Sequence, residues 1–164
     1  MTKKRVTIAG VLILSLGLSA GSLSAATPAH DSHGHHHGSS ATLQLDNGNK
    51  WQTDAQLRQS MANIRQSVDS SLHAIHEGKL SNAGYGKLAH VVENEVAAIV
   101  RNCKLAPEAD AQLHLIVAEL LEGAEQMSGK LRKAKRIDGA VKVIGTLEKY
   151  ADYFADPDFK PIAH

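Results

Sequence analysis

"PEADAQLHLIVAELLEGAEQMSG", residues 107–129, carries the start, the buried face and the stop of one helix. Pro107 suits a first helical turn, where a missing N–H costs nothing. Glu108 and Asp110 complement the positive end of the helix dipole. Leu113, Ile116, Val117, Leu120, Ala124 and Met127 then recur at steps of three and four, and Gly129 supplies the terminator. A single apolar stripe cannot be buried alone, so this helix requires partners.

The chain provides three more. Upstream, Ser81 can cap a helix whose stripe is Tyr85, Leu88, Val92, Val96, Ile99 and Cys103, although Gly84 and Gly86 each weaken its first turn by about 1 kcal/mol relative to Ala. Before it, a capping box at Thr53 and Gln56 opens a helix over 54–77 with the stripe Leu57, Met61, Ile64, Val68, Leu72 and Ile75, ended by Gly78. Downstream, Ile137, Val141, Ile144, Leu147, Ala151 and Phe154 form a fourth stripe, broken by Pro157. Four such helices with short connections predict an all-α, antiparallel up-down-up-down four-helix bundle over 43–160, with negligible strand. Aromatic residues are only 4% of the chain, so its core is expected to be mostly aliphatic. "LQLDNGNKW", residues 43–51, reads as a small hairpin or an extended lead-in that lays Trp51 over the end of the bundle.

The first 26 residues read differently. Lys3, Lys4 and Arg5 precede an apolar run and then the small residues Ser24-Ala25-Ala26, the pattern of a cleaved signal peptide, with no lipobox cysteine after it. A periplasmic or secreted protein is expected, with no transmembrane segment in the mature chain. Three of the 18 basic residues lie in the signal, which leaves 15 against 17 acidic ones and a mature charge near −2. No affinity for nucleic acid is expected at that balance. Residues 27–42 form a His-, Gly- and Ser-rich stretch with no hydrophobic period, the composition of a disordered tail.

Metal chemistry is the strongest signal in the side chains. His30, His33, His35, His36 and His37 lie within eight residues, and flexible imidazoles of this kind capture Cu(II), Ni(II) or Zn(II) without much selectivity. Within the bundle, reflection through the turns brings Met61, Cys103 and His114 to the same end. A thiolate, thioether and imidazole suit copper in its reduced state, with zinc the weaker choice. The competing reading is packing, because Met61 and Cys103 lie on apolar stripes; a dimer linked through Cys103 is a third. The nearby Arg101, Lys104 and helix start are expected to lower the Cys103 pKa. His73, His76 and His90, with Glu77, form a weaker surface candidate.

Haem is not expected, since no C-x-x-C-H occurs and the fourth helix carries no histidine. No G-x-S-x-G or phosphate loop appears, and no enzyme is expected. "KLRKAKR", residues 130–136, places five basic residues in seven at the last helix junction, a solvated loop or a docking patch for an anionic partner or membrane headgroups.

The stretches "LQLDNGNKWQTDAQLRQSMANIR" (43–65), "AIHEGKLS" (74–81), "NCKLAPEADAQLH" (102–114) and "TLEKYADYF" (146–154) together resemble the small exported bacterial helical proteins known as DnrO-type. The resemblance covers nearly the whole bundle. It implies an association with copper and heavy-metal handling and emphasises Trp51, Met61, Cys103 and His114. The combined expectation is a metal-binding protein that buffers or transfers copper. The alternatives are a non-catalytic helical interaction module of the cell envelope, bound to an envelope protein, and a redox sensor acting through Cys103.

Overall fold

A computed structural model describes residues 42–162. The signal peptide expected over 1–26 and the histidines at 30–37 lie outside the described residues. Helix α1 spans Ala55–Asp69, α2 Leu72–His76, α3 Asn82–Asn102, α4 Pro107–Ser128 and α5 Arg136–Tyr153; β1 (Trp51–Gln52) and β2 (Phe154–Ala155) flank them. The four long helices α1, α3, α4 and α5 pack together as an all-α bundle. α4 lies against α3 and α5, and α1 against α3 and α5.

The helix expected over 54–77 is two helices. α1 stops at Asp69, where three residues of low helix propensity, Asp69, Ser70 and Ser71, follow one another. The hydroxyls of Ser70 and Ser71 donate back to the carbonyls of Gln66 and Ser67, at 2.8 and 3.3 Å. Such back-bonding bends a helix, and the chain restarts as the single turn of α2. That turn ends at Gly78, whose φ of +64° lets the Lys79 amide reach the Ala74 carbonyl at 2.8 Å in a Schellman closure.

Ser81 caps α3 as its sequence predicts, accepting from the Gly84 amide at 3.1 Å. Gly84 has a packing reason for the helix propensity it gives up. A Cβ there would stand 2.6 Å from Cδ1 of Leu80, which folds back over the first turn of α3 and packs against the core.

α1 is capped by Asp54, not by Thr53. The Asp54 carboxylate accepts from the Leu57 amide at 2.7 Å. Thr53 instead donates its hydroxyl to the Ala155 carbonyl at 2.7 Å, beside the parallel pairing of Trp51 with Phe154 and Gln52 with Ala155. This two-residue ladder is a strand element the sequence did not predict. Its cause is tertiary: the chain entering α1 and the chain leaving α5 run side by side. The lead-in turns at Asn47 and Gly48, both with positive φ, and closes a bridge between Asp46 and Asn49. Trp51 then donates its indole N–H to the Gln44 carbonyl at 2.6 Å.

The core is one cluster. Leu57, Met61, Ile64 and Val68 of α1 meet Leu88, Val92, Val96 and Ile99 of α3, Leu113, Ile116, Leu120 and Met127 of α4, and Val143, Leu147 and Tyr150 of α5. Three aromatic rings close one end. Tyr150 stacks on Phe154 with centroids 5.4 Å apart and meets Phe159 edge-on at 5.0 Å.

On α5 the buried face is rotated from the expected one. Val141 is 59% exposed, while Gly139 and Ala140 face inward. The reason is the close approach of α4 to α5. A Cβ on Gly139 would stand 2.5 Å from the Gly123 carbonyl oxygen, and one on Gly123 2.9 Å from the Gly139 carbonyl oxygen. Two missing side chains set this contact.

Gly139→Ala is therefore expected to destabilise the fold by about 2 kcal/mol, since backbone rather than a flexible side chain must move. Gly145→Ala, on the same helix with open space at its Cβ, should stabilise by about 0.5–1 kcal/mol. Urea denaturation of the two variants checks the opposite signs.

Candidate functional site

The residues that carry chemistry in the described chain gather where α3 ends and α4 begins. The Asp54 carboxylate, at the head of α1, accepts the Leu57 amide with one oxygen and the Lys104 amide at 2.6 Å with the other. The Cys103 thiol, at the C-cap of α3, donates to the same carboxylate. Burial alone would raise the Asp54 pKa, but the two amides, the thiol and nearby Arg58 outweigh it and hold the carboxyl below its ordinary value.

The thiol responds the other way. Burial is the largest effect on Cys103, joined by the hydrogen bond to Asp54 and the negative charges of Asp54 and Asp110, and its pKa is pushed up to about 12. The expected lowering by Arg101, Lys104 and the helix start is thus corrected. Burial and the neighbouring carboxylates outweigh any such lowering, and the thiol is neutral at physiological pH.

Cys103 and His114 line one cleft of about 270 Å³ with Ile99, Val100, Asp110, Leu113 and Val117. Reflection through the turns placed Met61, Cys103 and His114 toward the same end of the bundle; Cys103 and His114 share that cleft, and Met61 is not among its lining. The His114 side chain is nevertheless 70% exposed. Its Nδ1 lies 2.8 Å from the Asp110 carbonyl oxygen and 3.5 Å from the Asp110 carboxylate. A carbonyl can only accept, so Nδ1 is the donor in this contact. Met61 is fully buried in the core. An i to i+7 relation on α4 puts Leu113, not His114, on the inward face with Leu120.

The other histidines are separate. His73 pairs with Glu77 at 3.4 Å, and His90 pairs with Glu93 at 3.7 Å. Among the described residues, no three His, Cys, Asp or Glu side chains are grouped to hold one metal ion. Of the two carboxylates around the thiol, Asp54 escaped the sequence reading and Asp110 entered it only as an acid complementing the α4 dipole. The signal for Asp54 was present, since Asp is as good an N-cap as Thr and stands one residue nearer the apolar stripe.

A second, larger groove of about 670 Å³ runs between α1 and the C-terminal segment, lined by Arg58, Arg65, Asp69, Asp156, Asp158 and Lys160 among others. Its two arginines are already engaged. Arg58 donates to the Thr53 carbonyl at 2.8 Å, and Arg65 donates to the Lys160 carbonyl. Across its end, Tyr150 donates to Asp156 at 2.9 Å; burial, then that carboxylate, raises the phenol's pKa.

Comparison with protein-family models, with characterised proteins and with solved structures finds no match.

Two pH limits follow from the Asp54 and Cys103 pair. Asp54 has a lowered carboxyl, so its contribution is present above its ordinary 3.8 and is lost as pH falls through the lower folded value. Cys103 has a raised thiol, so its contribution is present below the ordinary 9.0 and is lost between there and about 12. Asp54→Ala should cost about 1–2 kcal/mol through the lost cap. It should also free the thiol. Alkylation of native Cys103 at pH 8 should accelerate about tenfold for each pKa unit recovered, a rate that Ser60→Ala leaves unchanged.

Proposed function

We propose that the folded domain is a non-catalytic helical interaction module of the cell envelope, in an up-down-up-down antiparallel order that its short connections favour. Export is read from the signal-like residues 1–26. The helices described include none long and apolar enough to cross a membrane.

The observation that carries this reading is the state of the donors at the α3–α4 junction. Ligation of a metal by cysteine requires the thiolate, with other donors converging on the same point. Cys103 is instead a neutral thiol bonded to Asp54, and His114 turns to solvent on the Asp110 carbonyl. A redox sensor through Cys103 is disfavoured on the same ground, since oxidation proceeds through the thiolate. Metal capture then rests on His33, His35, His36 and His37, beside a bundle that contributes packing and surface.

The test separates tract from bundle. Purified protein starting at Thr42 is expected to bind Cu(I), Cu(II) and Zn(II) no more tightly than about micromolar. The chain starting at Thr27 should bind Cu(II) through the tract and lose it when the four histidines become Ala. Sub-micromolar Cu(I) binding by the shorter form, abolished in Cys103→Ser, would overturn the reading and restore an internal copper site.

A further inference from the structure

We propose that the α4–α5 loop docks the domain onto an anionic lipid surface, with Leu131 entering the headgroup layer and Arg132, Lys133 and Lys135 resting on lipid phosphates. The inference rests on the interaction-module reading and names the partner of one face.

The loop sorts its five cations into two groups. Arg136 turns inward and donates to the Met127 carbonyl, where it complements the C-terminal dipole of α4. Gly129 makes that possible, because its φ is +77° and any Cβ there would overlap the guanidinium. Lys130 lies 3.4 Å from Glu93. Arg132, Lys133 and Lys135 remain, exposed and without an ion-pair partner among the described residues. Between these groups the chain makes a turn, closed by the Ala134 amide on the Leu131 carbonyl at 3.2 Å. Leu131 stands on that turn, 39% exposed.

An apolar side chain set among unpaired cations on a projecting turn matches the layered chemistry of a lipid surface, with phosphates outside and acyl carbon beneath. The first turn of α5 begins at the same place, and its N-cap, Lys135, makes no side-chain cap bond. The helix start therefore adds positive potential that no side-chain cap neutralises, partly offset by Asp138. An acidic peptide would need a groove to fix its backbone, and neither cleft described above is lined by residues 130–136. A membrane requires no concave match.

The experiment is sedimentation of the chain starting at Thr27 with vesicles of phosphatidylcholine containing 30% phosphatidylglycerol, at low salt. Binding at millimolar lipid is expected, with loss on pure phosphatidylcholine and in high salt. Each of Arg132→Gln, Lys133→Gln and Lys135→Gln should weaken partitioning about fivefold, and Leu131→Ala about threefold. Lys87→Gln with Arg101→Gln removes comparable charge elsewhere and should leave binding unchanged; circular dichroism confirms that all variants fold. Equal binding to neutral vesicles, or equal losses from the control pair, would overturn the proposal. So would preferential retention on polyglutamate over the vesicles. Such a failure leaves the interaction-module reading intact, because that reading is decided by the metal titration of the bundle.

Discussion

One carboxylate holds the end of the bundle where three chain segments meet. Asp54 uses one oxygen to cap α1 and the other to hold the Lys104 amide just after α3, 50 residues away in sequence. The amide of Leu57 and that of Lys104 would otherwise be left to solvent at two different helix termini. Burial and then the same anion, which accepts from Cys103, keep the sulfur protonated. Structure and reactivity are therefore tied. Any arrangement that made Cys103 a thiolate ligand would set two negative charges against each other, unless a cation arrived to stand between them.

A different device sets the α4–α5 pairing, and it works through what is absent. Gly123 and Gly139 let two backbones approach so closely that neither site accepts a Cβ. Backbone proximity then rotates α5, so that Ala140 and Val143 face inward and Val141 faces out. Arg136 completes the junction by capping α4 from the first residue of α5. With its guanidinium committed to that carbonyl, the loop keeps its other cations outside.

The helical architecture was legible because stripes, caps and stops agreed at most boundaries. Pro107, Ser81, Gly78 and Gly129 all act where the sequence puts them. The break at Ser70–Ser71 was hidden by an apolar period that continues through it to Leu72 and Ile75. Periodicity reports which face is apolar, and it does not register hydroxyls competing for helix carbonyls. Val141 was misplaced for a related reason: a stripe drawn through large residues overlooks glycines, which can define a buried face by close approach. At the candidate site, the nearness of Cys103 and His114 at one end of the bundle was readable from turn positions. Their neighbour Asp54 belongs to another helix, and no spacing within one segment reports such a contact.

The two ends of α4 serve different purposes. Its 22 residues separate them by about 33 Å at 1.5 Å per residue. At the N-terminal end, aromatic packing, the β1–β2 pairing and the Asp54 carboxylate consume the available polar groups. The thiol and the imidazole that looked most reactive in the sequence are occupied by local bonds there. At the C-terminal end, a single inward arginine satisfies the helix and leaves a turn of exposed cations around Leu131. Stability requires nothing of those side chains, since they bridge no elements. A charge cluster that the fold does not use is where an interaction can be added without cost to folding, and the proposed contact surface therefore lies at the opposite end of α4 from Cys103.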